Sequence, residues 1–156
     1  MNTGPSNKAG SKSDKGGFSE AEKTAMKERA QELRSESGWK GRGGMKKGER
    51  DLLAKIEEMP EPDKGMAARL HEIVMEAAPQ LEPRTWYGMP AWSKEGKVIC
   101  FFQGAQKYDA RYSTFNFNDS ASLDDGPMWP IGFGLTELTP QVEKELARLV
   151  SKAVGG

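Results

Sequence analysis

The chain has 156 residues, of which 36% are hydrophobic and 29% charged, and its formal net charge is zero. This length suits one folded domain with some additional sequence, and the balanced charge gives no general reason for binding to nucleic acid or anionic membrane. The charge is unevenly distributed, because residues 1–50 carry twelve Lys and Arg against seven Asp and Glu. A basic N-terminal part therefore precedes an acidic remainder.

Three features bear on the compartment in which the protein works. No apolar run approaches the roughly 20 residues that cross a bilayer, and the N-terminus lacks the apolar segment of a secretory signal. The one cysteine, Cys100, excludes an intrachain disulfide and is typical of a reducing compartment. We therefore expect a cytoplasmic protein that does not enter a membrane.

The N-terminal part divides into three segments. Residues 1–17 are mostly Gly, Ser, Asn and Lys, which predicts a disordered tail. Ser19 and Glu22 form a capping-box pattern, which predicts a peripheral helix over 18–37 with a thin apolar stripe and weak docking. Residues 38–49 are rich in Gly and basic side chains, which favours a flexible linker over a phosphate-binding arm in which Trp39 stacks on a base.

The folded body is expected over residues 50–154 and opens with two helices. The segment ERDLLAKIEEMP has apolar residues at helical spacing and stops at Pro60. A stronger stripe follows, with Asp63 as its predicted N-cap and Pro79 as its end. Its inward positions are Met66, Leu70, Ile73, Val74 and Ala77.

The pattern then changes from helix to strand. The segment KVICFFQ (97–103) predicts a central buried strand after a Glu95-Gly96 hairpin turn. A further strand is predicted over 109–117 and a short one within IGFGLTEL. Thr139 and Pro140 predict the start of a final helix. Helices segregated from three to five antiparallel strands indicate an α+β fold.

Aromatic residues are concentrated in the strand region, where eleven of the thirteen Phe, Trp and Tyr lie between Trp86 and Phe133. They either complete a small core or line a groove on a second sheet face, because Tyr and Trp combine an apolar body with a polar tip. The candidate ligand-binding residues are Trp86, Tyr87, Met89, Trp92, Tyr112 and Phe115.

The stretch RTWYGMPAW contains a predicted change of chain direction. Pro90 keeps Met89 extended, and Gly88 can adopt positive φ. We therefore expect a rigid aromatic corner between two strands, with Trp86 and Trp92 close together across the bend.

The sequence contains few residues or motifs typical of a catalytic site. His71 lies one residue off the inner stripe of its helix, and Cys100 lies in the most apolar strand, where a thiol is expected to be inert. No nucleophile elbow, phosphate loop or zinc spacing is present. An enzyme is therefore the function ranked last.

Carboxylates cluster twice, and oxygen ligands suit hard cations. The alternative is that these side chains are simply solvated, since the second cluster does not match EF-hand spacing. The candidate metal ligands are Glu57, Glu58, Glu61 and Asp63 in one cluster, and Asp124 and Asp125 in the other.

The stretch LHEIVMEAAPQLEPRTWYGMPAWSKEGKVICFF resembles the YdhG-like family, domain of unknown function 1801. The resemblance is carried by Ala77, Ala78, Pro79, the Tyr87–Pro90 turn and Trp92, with flanks over about 50–154. It implies a compact α+β domain related to the YjbR/CyaY-like, frataxin-like group. One branch of the family has been described as a frataxin-like cytoplasmic iron chaperone, which implies iron bound through carboxylates.

Three functions follow as hypotheses. The first is a non-enzymatic domain that binds a small molecule or a protein partner through the aromatic-rich sheet face. The second is an iron-binding chaperone that uses the acidic clusters. The third is an enzyme of unknown class.

Overall fold

The structure, a computed structural model, describes residues 19–39 and 44–155, and it describes the side chains of these residues except at 33–39 and 44–46. The predicted disordered tail, 1–17, lies outside these residues, as do residues 40–43. Within the described part, three helices precede the sheet: α1 (Glu20–Trp39), α2 (Gly44–Glu57) and α3 (Asp63–Ala77). A last helix, α4 (Pro140–Ala153), follows it. None of the described helices is long and apolar enough to cross a bilayer.

The sheet is a five-stranded antiparallel meander in the order β1-β2-β3-β4-β5. Its strands are β1 (Glu82–Trp86), β2 (Met89–Lys94), β3 (Lys97–Gln103), β4 (Ser113–Phe117) and β5 (Gly132–Leu135). Because helices and strands are segregated along the chain, the predicted α+β class is confirmed. The predicted central strand is also confirmed, because β3 covers 97–103 and lies in the middle of the sheet.

Several helix and turn signals in the sequence are confirmed. The Ser19 hydroxyl accepts from the Glu22 N–H at 3.1 Å, and the Glu22 carboxylate accepts from the Ser19 N–H at 2.9 Å. The Thr139 hydroxyl accepts from the Val142 N–H at 3.2 Å, with Pro140 opening α4. Each signal involves residues close in the chain, so it depends on the local sequence.

Helix α2 begins earlier than expected. The sequence assigned 38–49 to a flexible linker, but 38–39 belong to α1 and 44–49 to α2. A Lys47–Asp51 ion pair of 3.1 Å supports the first turns of α2. Gly48 is needed where α2 crosses β1, since a Cβ at this position would collide with the Pro83 carbonyl oxygen. Gly48 therefore permits close packing here.

Two local predictions require correction. Asp63 is the first residue of α3 rather than its cap, and its carboxylate makes no capping bond. The strand predicted over 109–117 starts only at Ser113, because residues 105–112 form a loop that folds back on itself through an Ala110 N–H to Ala105 carbonyl bond of 2.9 Å. Tyr112 is consequently exposed in the loop.

The hydrophobic core lies between one face of the sheet and helices α2, α3 and α4. Leu52 and Ile56 enter it from α2, and Leu70 and Val74 from α3. The sheet contributes Trp92, Cys100, Phe102, Phe115 and Phe117. Helix α1 lies outside this core, and it contacts β1. The turn between β1 and β2 therefore lies at the junction of α1 with the body.

Candidate functional site

The turn that joins β1 to β2 consists of Tyr87 and Gly88, and both have positive φ, 55° and 76°. Trp86 and Met89 pair across it. A two-residue hairpin turn with positive φ at both positions matches the twist of the strands that it joins. The predicted change of direction at Gly88 is therefore confirmed, as is the extended Met89 that Pro90 imposes.

The main-chain N–H groups of this turn bind a carboxylate. Glu32 of α1 accepts from the Tyr87 N–H at 3.0 Å with one oxygen and from the Gly88 N–H at 3.1 Å with the other. Successive N–H groups in a turn form a concave anion site of this kind. The turn is thus recognised by an acidic side chain from a helix 55 residues away in the chain.

One helical turn earlier, Glu28 binds two lysines. Its carboxylate lies 2.8 Å from Lys55 Nζ of α2 and 2.7 Å from Lys107 Nζ of the loop after β3. Lys107 also lies 3.5 Å from the Gly88 carbonyl oxygen. The three charged groups are mostly buried, with side chains 22–30% exposed. Glu28 therefore connects α1, α2 and the β3–β4 loop.

The pKa values of these groups are shifted in opposite directions. Burial opposes ionisation of Glu28, but hydrogen bonds from Lys107 and Lys55 outweigh it, so the pKa of Glu28 lies below its ordinary value. Burial likewise opposes the charge on Lys55, but the hydrogen bonds and negative charges of Glu28 and Glu58 together outweigh the burial and raise the pKa of Lys55. Both shifts favour the charged pair.

A cavity of 170 Å³ opens beside this ion network. Its walls are largely apolar: Met59, Pro60, Met89, Pro90 and Phe102. Charged groups line it as well, namely Glu28, Lys55, Glu58, Asp63 and Lys107. The Gly88-Met89-Pro90 segment forms one side of the cavity. The turn predicted from the sequence thus supplies a wall of the cavity as well as a bend in the chain.

Asp63 lines the cavity, is 2% exposed, and is hydrogen-bonded both to the β3–β4 loop and to the first residue of β4. It accepts from the Gln106 N–H at 2.9 Å and from the Ser113 hydroxyl at 3.3 Å. A Cβ at Gly104 would press on the same carboxylate. Asp63 therefore anchors the loop that carries Lys107, and this role explains why it is buried.

The six candidate aromatic and methionine residues do not form one surface. Trp92 and Phe115 are fully buried in the core, while Trp86 and Tyr87 are half-buried and packed edge-on against each other, ring centroids 5.0 Å apart. Tyr112 is exposed, with Arg111 over its ring. Met89 lines the cavity.

The expected proximity of Trp86 and Trp92 is wrong. Trp86 pairs with Met89 and packs on Phe101, whereas Trp92 pairs with Pro83. Because successive side chains of a strand alternate between faces, the offset of three residues from Met89 to Trp92 places the two indoles on opposite faces of the sheet.

His71 and Cys100 have the environments expected for structural residues. The indole N–H of Trp92 donates to His71 Nδ1 at 3.1 Å, and His71 Nε2 lies 3.1 Å from a Glu49 oxygen. Cys100 is fully buried, as predicted, and burial raises the pKa of its thiol far above the ordinary value. Its chemical inertness stays a prediction.

The four candidate metal ligands of the first cluster, Asp63 included, each have a different partner. Glu57 pairs with Lys64 at 3.3 Å, Glu58 with Lys55 at 3.2 Å, and Glu61 accepts from the Gly65 N–H at 3.0 Å. Asp124 and Asp125 are exposed in the loop before β5. Among the residues that the structure describes, no three His, Cys, Asp or Glu side chains are arranged to hold a metal ion.

Comparison with known proteins gives no relative: no family model, curated protein or solved structure matches the chain.

Sequence reasoning missed Glu28, Glu32, Lys55 and Lys107. One signal was present, since Glu28 and Glu32 are four residues apart and therefore share a face of a helix that is otherwise weakly apolar. The lysines carried no signal, because their partner lies 27 residues away from Lys55 and 79 from Lys107.

Proposed function

We propose that this chain is a binding domain whose cavity takes a small carboxylic acid, in competition with Glu28 for Lys55 and Lys107. The observation that supports it most directly is that two ammonium groups already hold one carboxylate, at 2.8 and 2.7 Å, beside an apolar cavity. This keeps the binding function expected from the sequence and moves its site from the aromatic sheet face to the cavity.

The size of the cavity restricts the ligand. At 170 Å³ it is smaller than the pockets of roughly 300 Å³ or more that hold drug-sized molecules. It is close to a cavity of about 150 Å³ that holds benzene. An acid with an apolar body of about six heavy atoms therefore fits, whereas a nucleotide does not.

The charges determine how the acid is oriented. The Asp63 oxygens already accept from the Gln106 N–H and the Ser113 hydroxyl and offer a second carboxylate no donor, so this side of the cavity favours the apolar body, next to Met89 and Phe102. The acid group then lies with Lys55 and Lys107. Because Glu28 and Glu58 already balance these lysines, an entering acid displaces Glu28 rather than adding to it.

The test is an amide NMR titration with benzoate, and with benzamide as the neutral ligand of the same shape. We expect saturable shifts at Gly88, Met89 and Gly104 with benzoate and none with benzamide. Lys107→Met keeps the apolar stem and removes the charge, and it should abolish binding. Lys64→Met is the control, since Lys64 pairs with Glu57 outside the cavity lining.

A further variant tests the competition. Glu28→Gln removes the charge of the internal carboxylate, so benzoate should bind more tightly to it than to the native chain. The proposal is wrong if benzamide binds as well as benzoate, or if Lys107→Met leaves the titration unchanged.

The iron-chaperone alternative rests on the resemblance to the YdhG-like family, and membership of that family is itself a proposal. The carboxylates of Glu57, Glu58, Glu61 and Asp63 each bind a different partner, so their arrangement does not favour iron over a small acid as the ligand.

A further inference from the structure

The part of helix α1 whose side chains the structure describes, residues 20–32, makes few apolar contacts with the body. Among its described side chains, residues 20–32, only Ala25 is fully buried. Met26 is 43% exposed. The polar contacts of this part of the helix with the body include the carboxylates of Glu28 and Glu32 and the guanidinium of Arg29, whose carbon lies 5.6 Å from the centroid of the Tyr87 ring. Such a helix contributes little hydrophobic free energy, so its position depends on charge and hydrogen bonding.

The surface under α1 recognises two carboxylates at a defined spacing. Lys55 and Lys107 hold the first, and the N–H groups of Tyr87 and Gly88 hold the second. Residues four apart on a helix are neighbours on the same face. The surface is therefore complementary to the pattern Glu-x-x-x-Glu in helical form.

We infer that this surface is a docking site for an acidic helix of a partner protein, and that α1 is an internal occupant which such a helix replaces. The partner is defined by its chemistry: an amphipathic helix with two Glu at i and i+4 and a small residue three positions before the first, where α1 has Ala25. The inference deepens the proposed function and rests on it, because both use Lys55 and Lys107 as the carboxylate site.

Because α1 occupies this surface within the same chain, a partner helix must compete with it. A tethered segment acts at an effective concentration on the order of millimolar. A free helix with the same contacts must therefore compete with α1, and weakening α1 increases its apparent affinity. The ion pairs are 22–30% exposed, so added salt weakens both the internal and the external helix.

The experiment measures binding of a fluorescent peptide with the α1 sequence, residues 19–39, to the full chain. The receptor is either the native chain or its Glu28→Gln, Glu32→Gln variant. The variant should bind the peptide about tenfold more tightly or better, because its own helix competes less. A peptide with the same two substitutions should not bind. A peptide with Glu20→Gln should bind like the original, because Glu20 forms an exposed pair with Lys23.

Adding Lys107→Met to the variant chain should abolish peptide binding. Circular dichroism and thermal unfolding establish that each variant is folded. If a variant does not fold, amide exchange is measured on the native chain instead of peptide binding to that variant. Excess peptide should then increase the exchange rate of the amides of residues 20–39. The inference is wrong if the native and variant chains bind the peptide equally, or if α1 keeps its protection at saturating peptide.

Light scattering of the native chain identifies a different occupant. A dimer that Lys107→Met dissociates would assign the surface to exchange of α1 between two copies, which overturns the choice of a foreign helix. The two proposals also fail separately. Benzoate binding without peptide binding removes the helix site alone, and peptide binding without benzoate binding removes the small-acid function alone.

Discussion

Trp92 donates its indole N–H to His71 Nδ1 at 3.1 Å, and this bond joins β2 to α3 inside the core. Because Nδ1 accepts, the proton of the neutral ring is on Nε2, which donates to Glu49 at 3.1 Å. The bond satisfies two buried polar groups with each other. It explains why a histidine and a tryptophan are compatible with the apolar side chains packed around them.

Trp92→Phe should therefore destabilise the protein by about 2 to 3 kcal/mol, because it leaves a void and an unsatisfied His71 nitrogen. Trp86→Phe is the matched control on the opposite, half-buried face, and it should cost within about 1 kcal/mol. Urea unfolding followed by fluorescence of the remaining Trp residues measures both. Equal losses of stability would contradict the assigned role of the Trp92–His71 bond.

Two hairpin glycines allow backbone strain to be separated from the docking of α1. Gly88 and Gly96 both have positive φ, 76° and 82°. A Cβ at Gly88 would collide with the Glu28 carboxylate and Lys107 Nζ, whereas one at Gly96 meets nothing within 4 Å. Gly96→Ala should cost only the strain of about 1 to 2 kcal/mol.

Gly88→Ala should cost more than Gly96→Ala and should also release α1. We expect faster amide exchange over residues 20–39 in Gly88→Ala and unchanged exchange in Gly96→Ala. If α1 exchanges at the same rate in both variants, the contact between the turn and Glu28 does not hold the helix in place.

The docking of α1 should depend on pH through Glu28. The pKa of Glu28 is lower in the folded chain than its ordinary value of 4.5. Its contribution to stability is therefore fully present above about pH 4.5 and is lost as the pH falls through the folded pKa. The difference in stability between the native chain and Glu28→Gln should accordingly shrink below pH 4.5. A difference that stays constant from pH 3 to 7 would exclude an ionised Glu28 as the contact.

The iron alternative makes a separate prediction. If the frataxin-like role holds, ferrous iron binds weakly to exposed carboxylates, and Glu57→Gln with Glu58→Gln and Glu61→Gln reduces the heat of an anaerobic calorimetric titration. Asp124→Asn with Asp125→Asn tests the second cluster. Asp63 is left unchanged in both, because its carboxylate anchors the β3–β4 loop. An unchanged titration in both variants would remove iron from consideration.

Local patterns determined much of the fold. The capping box at Ser19, the cap at Thr139 and the two-residue turn at Gly88 each depend on residues within a few positions, and each is present in the structure. The burial of Cys100 followed from the unbroken apolar run around it. These features are readable because their physical causes, main-chain geometry and local hydrogen bonding, act over short separations.

The tertiary structure alone decided which side chains meet. Glu28 reaches Lys55 and Lys107 across 27 and 79 residues, and no pattern in the chain marks such a pair. Strand register likewise decided on which face of the sheet each aromatic side chain lies. Trp92 and Phe115 lie in the core, and Trp86 lies outside it. The sequence by itself determined most of the helices and strands and the turn at Gly88. The carboxylate site depends on the packing of α1 against that turn, because the energy of an ion pair depends on distance in space rather than on separation along the chain.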